Sequence, residues 1–312
     1  MKIAIIDMGT NTFHLLLVEV MNEGYRVLER DRIAVKIGEG GITEGIITDE
    51  AIKRAIATLK EFNLKIKAHN AERVFATATS AVRSAANGRE LVQIIKKETG
   101  IDVRIISGDE EAEAIYYGVS KAMDLGMDTS LIVDVGGGSI EFIIGNREQI
   151  FWKRSFEMGG QRLLDKFHRS DPLDKEEIGL LKQFINDSLI ELIEACQEFK
   201  PSVLVGSSGT FDTLSDIYSV RKNIEKQDDW TELPLTIEGF NEIFGELVSK
   251  NRAERLKIPG MIEMRVDMIV VASVLVKFII DELGIQDIRV SSFALKEGIL
   301  MKTIESLPIS KV

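Results

Sequence analysis

Residues 5–18 read IIDMGTNTFHLLLV and residues 132–145 read IVDVGGGSIEFIIG, an internal repeat offset by 127 residues (132 − 5). Each copy is an apolar run, an aspartate, a glycine-containing turn and a second apolar run. Short runs of Ile, Val and Leu are expected to be buried strands, and the turn between them makes each copy a hairpin. Two such hairpins in 312 residues predict two similar domains, with a ligand in the cleft between them. Length gives the same number, at ~150 residues per domain.

Strand and helix patterns alternate through the rest of the chain. Residues 49–62 carry Ile52, Ala55, Ile56 and Leu59 at helical spacing, while 73–76, 102–106 and 202–205 read as buried strands. Asp174 and Glu177 form a capping-box pattern. It opens one long helix, with Ile178, Leu181, Ile185, Leu189 and Leu192 on a single stripe. Phe240, Ile243, Phe244 and Leu247 mark another amphipathic helix, and 268–280 a buried one. This alternation predicts an α/β protein with largely parallel central sheets.

Charge narrows the partners. With 39 Lys+Arg against 50 Asp+Glu the net charge is −11, which argues against a broad basic face for nucleic acid. It leaves room for a small anionic ligand at a locally basic site. One cysteine, Cys196, cannot form an internal disulfide and is expected to be buried and inert. The N-terminal apolar run is too short for a signal peptide or a membrane span. The expected compartment is the cytoplasm, with no membrane partner.

Three glycine loops carry the chemistry. In Asp134-Val-Gly-Gly-Gly-Ser-Ile-Glu141, successive glycines let the backbone turn sharply and present N–H groups to an anion. Asp134 and Glu141 flank that turn with hard oxygen ligands suited to Mg²⁺. The competing reading is an ordinary glycine-rich hairpin with a solvated aspartate. In the first copy, Asp7-Met-Gly-Thr-Asn-Thr12, Gly9 makes the turn and Thr10, Asn11 and Thr12 offer donors to phosphate. The third loop, Gly206-Ser-Ser-Gly-Thr210, precedes a helix that opens at Phe211. It reads either as an anion-binding helix start or as a plain capped turn. Gly38, Gly40, Gly41 and Gly45 read as a mobile loop at the cleft mouth. Arg265 and Asp267 read as an internal ion pair or cap, and His14 as either cleft-facing or packed.

These hairpins and the third loop resemble the actin/sugar-kinase/Hsp70 superfamily. Further blocks resemble the exopolyphosphatase/guanosine pentaphosphate phosphatase (Ppx/GppA) family. They are Lys36-Ile-Gly-Glu-Gly, Ala78-Thr-Ser-Ala-Val-Arg83 with Ala86-Asn87, Ile106-Ser-Gly-Asp-Glu-Glu111-Ala, Met264-Arg265-Val-Asp267 and Ser292-Phe-Ala-Leu-Lys-Glu-Gly298. They stand in family order, and Lys296 is a departure where the family usually has arginine. The chain resembles the short, two-domain members.

The resemblance implies two ribonuclease-H-like (actin-like ATPase) α/β domains with an interdomain cleft. Domain I would take 1–122 plus 298–312, the latter a helix crossing back onto it, and domain II 123–297. It implies that Glu111 is the catalytic base, aiming water at a terminal phosphorus. An isolated Glu-Glu pair would otherwise be read as a dipole-stabilised helix start. Arg83 would contact phosphate, although the same residue could be a surface arginine. Asp134 and Glu141 would hold Mg²⁺, with Asp7 contacting it through water. Gly9, Thr10, Asn11, Gly137, Gly138, Ser139 and Gly209 would provide phosphate-facing turns. The implied activity is Mg²⁺-dependent release of orthophosphate from the end of inorganic polyphosphate. Guanosine pentaphosphate (pppGpp) 5′-phosphohydrolase is the alternative, and an ATP-dependent small-molecule kinase a more distant one. A homodimer is implied by the resemblance alone.

Overall fold

The computed structural model describes residues 1–22, 24–227 and 229–306. Two compact units account for the chain: Met1–Gly118 with the segment that begins at Leu295, and Val119–Ala294.

In the first unit, β1 (Lys2–Met8), β2 (Thr12–Val20) and β3 (Tyr25–Ala34) form an antiparallel meander. Helix α1 (Asp49–Ala68) leads to β4 (Arg73–Ala78), which returns parallel to β1. Helices α2 (Ser80–Ser84) and α3 (Gly88–Thr99) lead to β5 (Val103–Ile105), parallel to β4, and α4 begins at Gly108 and runs to Ala122. The sheet order is β3-β2-β1-β4-β5.

Alternation along β1 divides its burial between two faces. Ala4, Ile6 and Met8 join Phe13, Leu15 and Leu17 in a core shared with Ala55, Leu59 and Phe62 of α1 and Leu91 and Ile95 of α3. Ile3 and Ile5 face the other way, with Leu16 and Val18. Thr48 caps α1 by accepting from the Ala51 amide at 3.3 Å.

The second unit repeats the plan. Strands β6 (Ser130–Val135), β7 (Ile140–Gly145) and β8 (Ile150–Phe156) form the meander. Helices α5 (Gly160–Phe167), α6 (Lys175–Ser188) and α7 (Ile190–Phe199) precede β9 (Val203–Ser207), parallel to β6. Helix α8 (Ser208–Lys222), β10 (Glu232–Leu233), α9 (Ile237–Ser249), α10 (Arg252–Arg255) and α11 (Met268–Glu282) lead to β11 (Asp287–Ser291). The order is β10-β11-β9-β6-β7-β8. Apart from the short β10, this is the connectivity of the first sheet: a meander, then parallel strands added beyond its first strand. The two units are similar, as the repeat predicts, and both have the ribonuclease-H-like topology that the resemblance implies.

The last helix, α12 (Leu295–Ser306), belongs to the first unit and buries Leu300 against Ile3, Ile5, Leu16 and Val18. The expected helix over 298–312 thus starts three residues earlier, and its part over 307–312 lies outside the described residues. Among the described residues, no helix is long and apolar enough to cross a membrane.

Two expectations are corrected. The single long helix after Asp174 is two, α6 and α7, which meet at Leu189 (φ −105°, ψ 21°). Asn186, Asp187 and Ser188 compete for backbone hydrogen bonds, and the helix breaks after them. The stripe survives because Leu181, Ile185, Leu189 and Leu192 remain buried in one core. The Asp174–Glu177 capping box is present in full. Helix α8 opens at Ser208 rather than Phe211, because Ser208 takes a left-handed φ of 72° and turns β9 directly into the helix.

Cys196 is buried, and burial pushes its thiol up to about 12. At pH 8 only about one thiol in 10⁴ would then be thiolate. Ellman's reagent is expected to label the native protein only on the timescale of unfolding and one thiol promptly in denaturant. Prompt labelling of the native protein would contradict this burial.

Candidate active site

In the first unit the parallel strands end level with one another: Met8 is in register with Ala78, and Ala78 with Ile105. The segments that follow them therefore leave from one edge of the sheet. After β1 comes the Gly9–Asn11 turn, closed by the Gly9 amide donating to Thr12 O at 3.2 Å. Asp7, just before it, stands in register between His14 on β2 and Thr77 on β4. After β4 comes α2, with Arg83 in its last turn. After β5 comes α4, with Glu111 in its first.

The chain brings Arg83 and Glu111 together at this edge, although 28 residues separate them. Arg83 Nη1 donates to Glu111 Oε2 at 2.7 Å and to Ile106 O at 3.3 Å. Glu111 is only 6% exposed. Its neighbour Glu110 has a different task. Glu110 Oε2 accepts from the Ser107 amide at 2.9 Å, while the Glu110 amide donates to Ser107 Oγ at 3.2 Å. That reciprocal pair caps α4. Arg104 also pairs with Glu110 on the exposed side. One step round the helix separates a capping carboxylate from a buried one.

The glycine loop after β3 is anchored rather than built as a free flap. Lys36 N donates to Asn11 O at 2.8 Å, and Gly38 N to Thr10 O at 3.1 Å. Ile42 and Ile47 are buried, and Asn87 Oδ1 accepts from the Ile47 amide at 2.9 Å. The expectation of a mobile loop is corrected by these attachments.

In the second unit, one register row crosses four strands: Ser207 on β9, Asp134 on β6, Glu141 on β7 and Ser155 on β8. Residues directly opposite on neighbouring strands share a face, so both carboxylates lie side by side. Asp134 Oδ2 accepts from Ser207 Oγ at 2.8 Å, and Glu141 Oε1 from Ser155 Oγ at 2.6 Å. Asp134 is 6% and Glu141 1% exposed. Two buried neighbouring carboxylates repel each other in a poorly screened setting. Their hard oxygens and shared charge fit a divalent cation such as Mg²⁺. Among the described residues, no group of three or more His, Cys, Asp or Glu is placed to hold a metal ion. A site of this kind would need further oxygens from substrate or water, which Mg²⁺ accepts readily.

The Gly136–Ser139 turn follows β6, and α8 begins at Ser208 directly after β9 at the same edge of the sheet. A Cβ at Gly209 would lie 2.0 Å from Arg265 Nη2, so the buried Arg265 packs directly against the start of α8. The expected Arg265–Asp267 pairing takes another form. Asp267 faces Arg252 at 3.3 Å and Arg255 at 3.8 Å. Arg255 is fully buried, and its Nη1 donates to Asp171 Oδ1 at 2.7 Å. Burial and the Arg255 guanidinium hold His168 beside it below the usual imidazole range.

Sequence reading singled out neither Ser155 nor Ser207, because their partners are set by register across strands. It also passed over Gly159, Gly160 and Arg162, which contact the Gly136–Ser139 turn. The Ser107–Glu110 cap was visible as S-x-x-E in the sequence.

Comparison with known proteins bears on the family. The model of the Ppx/GppA phosphatase family matches residues 16–307. Exopolyphosphatase 1 of Mycobacterium tuberculosis is 24% identical over 308 residues, covering 98% of this chain and 89% of its own. An exopolyphosphatase from Cytophaga hutchinsonii, known from its crystal structure, is 43% identical with a TM-score of 0.96, covering 98% of this chain and 99% of that one. The Ppx/GppA enzyme of Aquifex aeolicus is 25% identical with a TM-score of 0.78, covering 97% and 99%. The family match spans nearly all the elements described above, and the chain belongs to the Ppx/GppA phosphatase family.

Proposed function

We propose that the chain is an exopolyphosphatase, hydrolysing the terminal phosphoanhydride of inorganic polyphosphate and releasing orthophosphate. The observation that carries this reading is the pairing of a half-buried Arg83 with the buried Glu111 at the sheet edge beside the first glycine turn. Glu111 accepts a proton from water as the water oxygen bonds to the terminal phosphorus. The bond from that phosphorus to the bridging oxygen breaks, and the shortened chain leaves with the electron pair. Arg83 fixes the orientation of the carboxylate and places a guanidinium charge beside the phosphate oxygens. In the first unit Gly9, Thr10 and Asn11, and in the second Gly137, Gly138, Ser139 and Gly209, supply backbone and hydroxyl donors suited to phosphate. Asp134 and Glu141 would hold Mg²⁺. The ion supplies neutralisation of phosphate charge. A lone buried thiol supports the cytoplasm as compartment; a homodimer rests on family resemblance alone.

The same chemistry would act on pppGpp, so substrate choice is tested directly. Phosphate release is measured on long-chain polyphosphate, pppGpp and ATP at equal Mg²⁺. The expected order places polyphosphate first in kcat/KM. No release from polyphosphate with rapid release from pppGpp would move the assignment to the nucleotide. ADP formed together with a phosphorylated acceptor would make the protein a kinase.

A further inference from the structure

Three carbonyls of the second glycine turn, those of Gly136, Gly137 and Gly138, accept from one following segment. Gly159 N donates to Gly138 O at 3.0 Å, Gly160 N to Gly136 O at 2.8 Å and Gln161 N to Gly137 O at 2.8 Å. Arg162 Nε adds a further bond to Gly138 O at 3.0 Å. These donors are the start of α5, whose N-cap Gly159 makes no side-chain cap. A helix start leaves its first amides unsatisfied within the helix, and here the turn satisfies them. The turn caps the helix, and the helix holds the turn.

In a planar trans peptide the carbonyl and the next residue's N–H point in opposite directions. With the carbonyls of Gly136, Gly137 and Gly138 drawn towards α5, the N–H groups of Gly137, Gly138 and Ser139 are directed away from it. Three successive amides so aligned make an anion nest. The positive end of the α5 dipole and the Arg162 guanidinium polarise the same peptides from behind, which strengthens their N–H groups as donors. The contact is close: a Cβ at Gly159 would lie 2.4 Å from Gly137 C and 2.5 Å from Gly138 N. The first unit uses the same device with a different segment, since Gly38 N and Lys36 N take the carbonyls of Thr10 and Asn11.

We propose that Gly159 and Arg162 are positioning residues, which set the Gly136–Ser139 turn in the form that presents its amides to phosphate. The proposal rests on the reading of that turn as a phosphate site. It is tested by binding inorganic triphosphate with Mg²⁺ to the Glu111→Gln protein, with Arg162→Ala, Arg162→Lys and Gly159→Ala added in turn. Arg162→Ala is expected to weaken binding about tenfold, the scale of a lost charge-assisted hydrogen bond, and Arg162→Lys to recover part of it. In the otherwise wild-type enzyme, Arg162→Ala should raise KM for polyphosphate more than it lowers kcat. Hydrogen exchange of the peptide covering 136–139 should quicken in both alanine variants without ligand, while exchange in β1 and β2 stays as it was. Triphosphate binding and KM unchanged in Arg162→Ala, with the parent binding normally, would overturn the positioning role alone. A Glu111→Gln parent that does not bind triphosphate, together with a wild-type enzyme that releases no phosphate, would overturn the phosphate-site reading, and the positioning role with it.

Discussion

Glu111→Gln is expected to lower kcat on polyphosphate by roughly 10²-fold or more, the scale of a lost general base. Glutamine keeps the size of the side chain and an oxygen that can accept from Arg83 Nη1, whose bond to Glu111 is 2.7 Å long. The substitution therefore removes basicity and charge while leaving an anchor for the guanidinium. KM should move little, because Arg83 and the glycine turns still meet the phosphates. The competing possibility is that Glu111 matters only as the counter-ion of a half-buried arginine. In that case Glu111→Gln would keep its turnover and lose thermal stability instead. Steady-state kinetics beside a thermal melt separate the two, and wild-type kcat in the variant would remove Glu111 as the base.

The second large effect is expected at Asp134. Asparagine there can still accept from Ser207 Oγ, now at 2.8 Å, so the row of side chains across β9, β6, β7 and β8 is kept. One of two adjacent buried charges is gone. Without a cation this relieves repulsion with Glu141, so the melting temperature in chelator should stay level or rise. With a cation the sign reverses: the Mg²⁺ concentration for half-maximal activity should rise by about 10- to 100-fold or more. Any rise of melting temperature with added Mg²⁺ should shrink accordingly. Full activity of the wild type in EDTA would remove Asp134 and Glu141 from a metal role.

Where local chemistry decides, the sequence was readable. The repeat places two hairpins, and the second apolar run of the first copy falls within β2, Thr12–Val20. The Asp174–Glu177 box and the apolar run over 268–280 also depend only on neighbours along the chain. Where tertiary geometry decides, it was not. The apolar stripe continues across Leu189, and nothing in hydrophobic spacing marks the helix break there. Ser208 accepts a left-handed φ because β9 and α8 are both fixed by burial. The Arg83–Glu111 bond depends on β4 and β5 ending level, and the Ser207–Asp134 bond on parallel register. The family resemblance named Arg83, Glu111 and Asp134, but the bonds that hold them were legible only in the fold.

On the proposed function, water aimed by a carboxylate attacks the last phosphorus of a polyphosphate chain. The most direct measurement is hydrolysis of polyphosphate of defined length in ¹⁸O-labelled water, with mass analysis of orthophosphate and of the remaining chains. The expected result is one ¹⁸O atom in each orthophosphate and chains shortened one phosphate at a time. Unlabelled orthophosphate, or fragments cut from the middle of the chain, would contradict it.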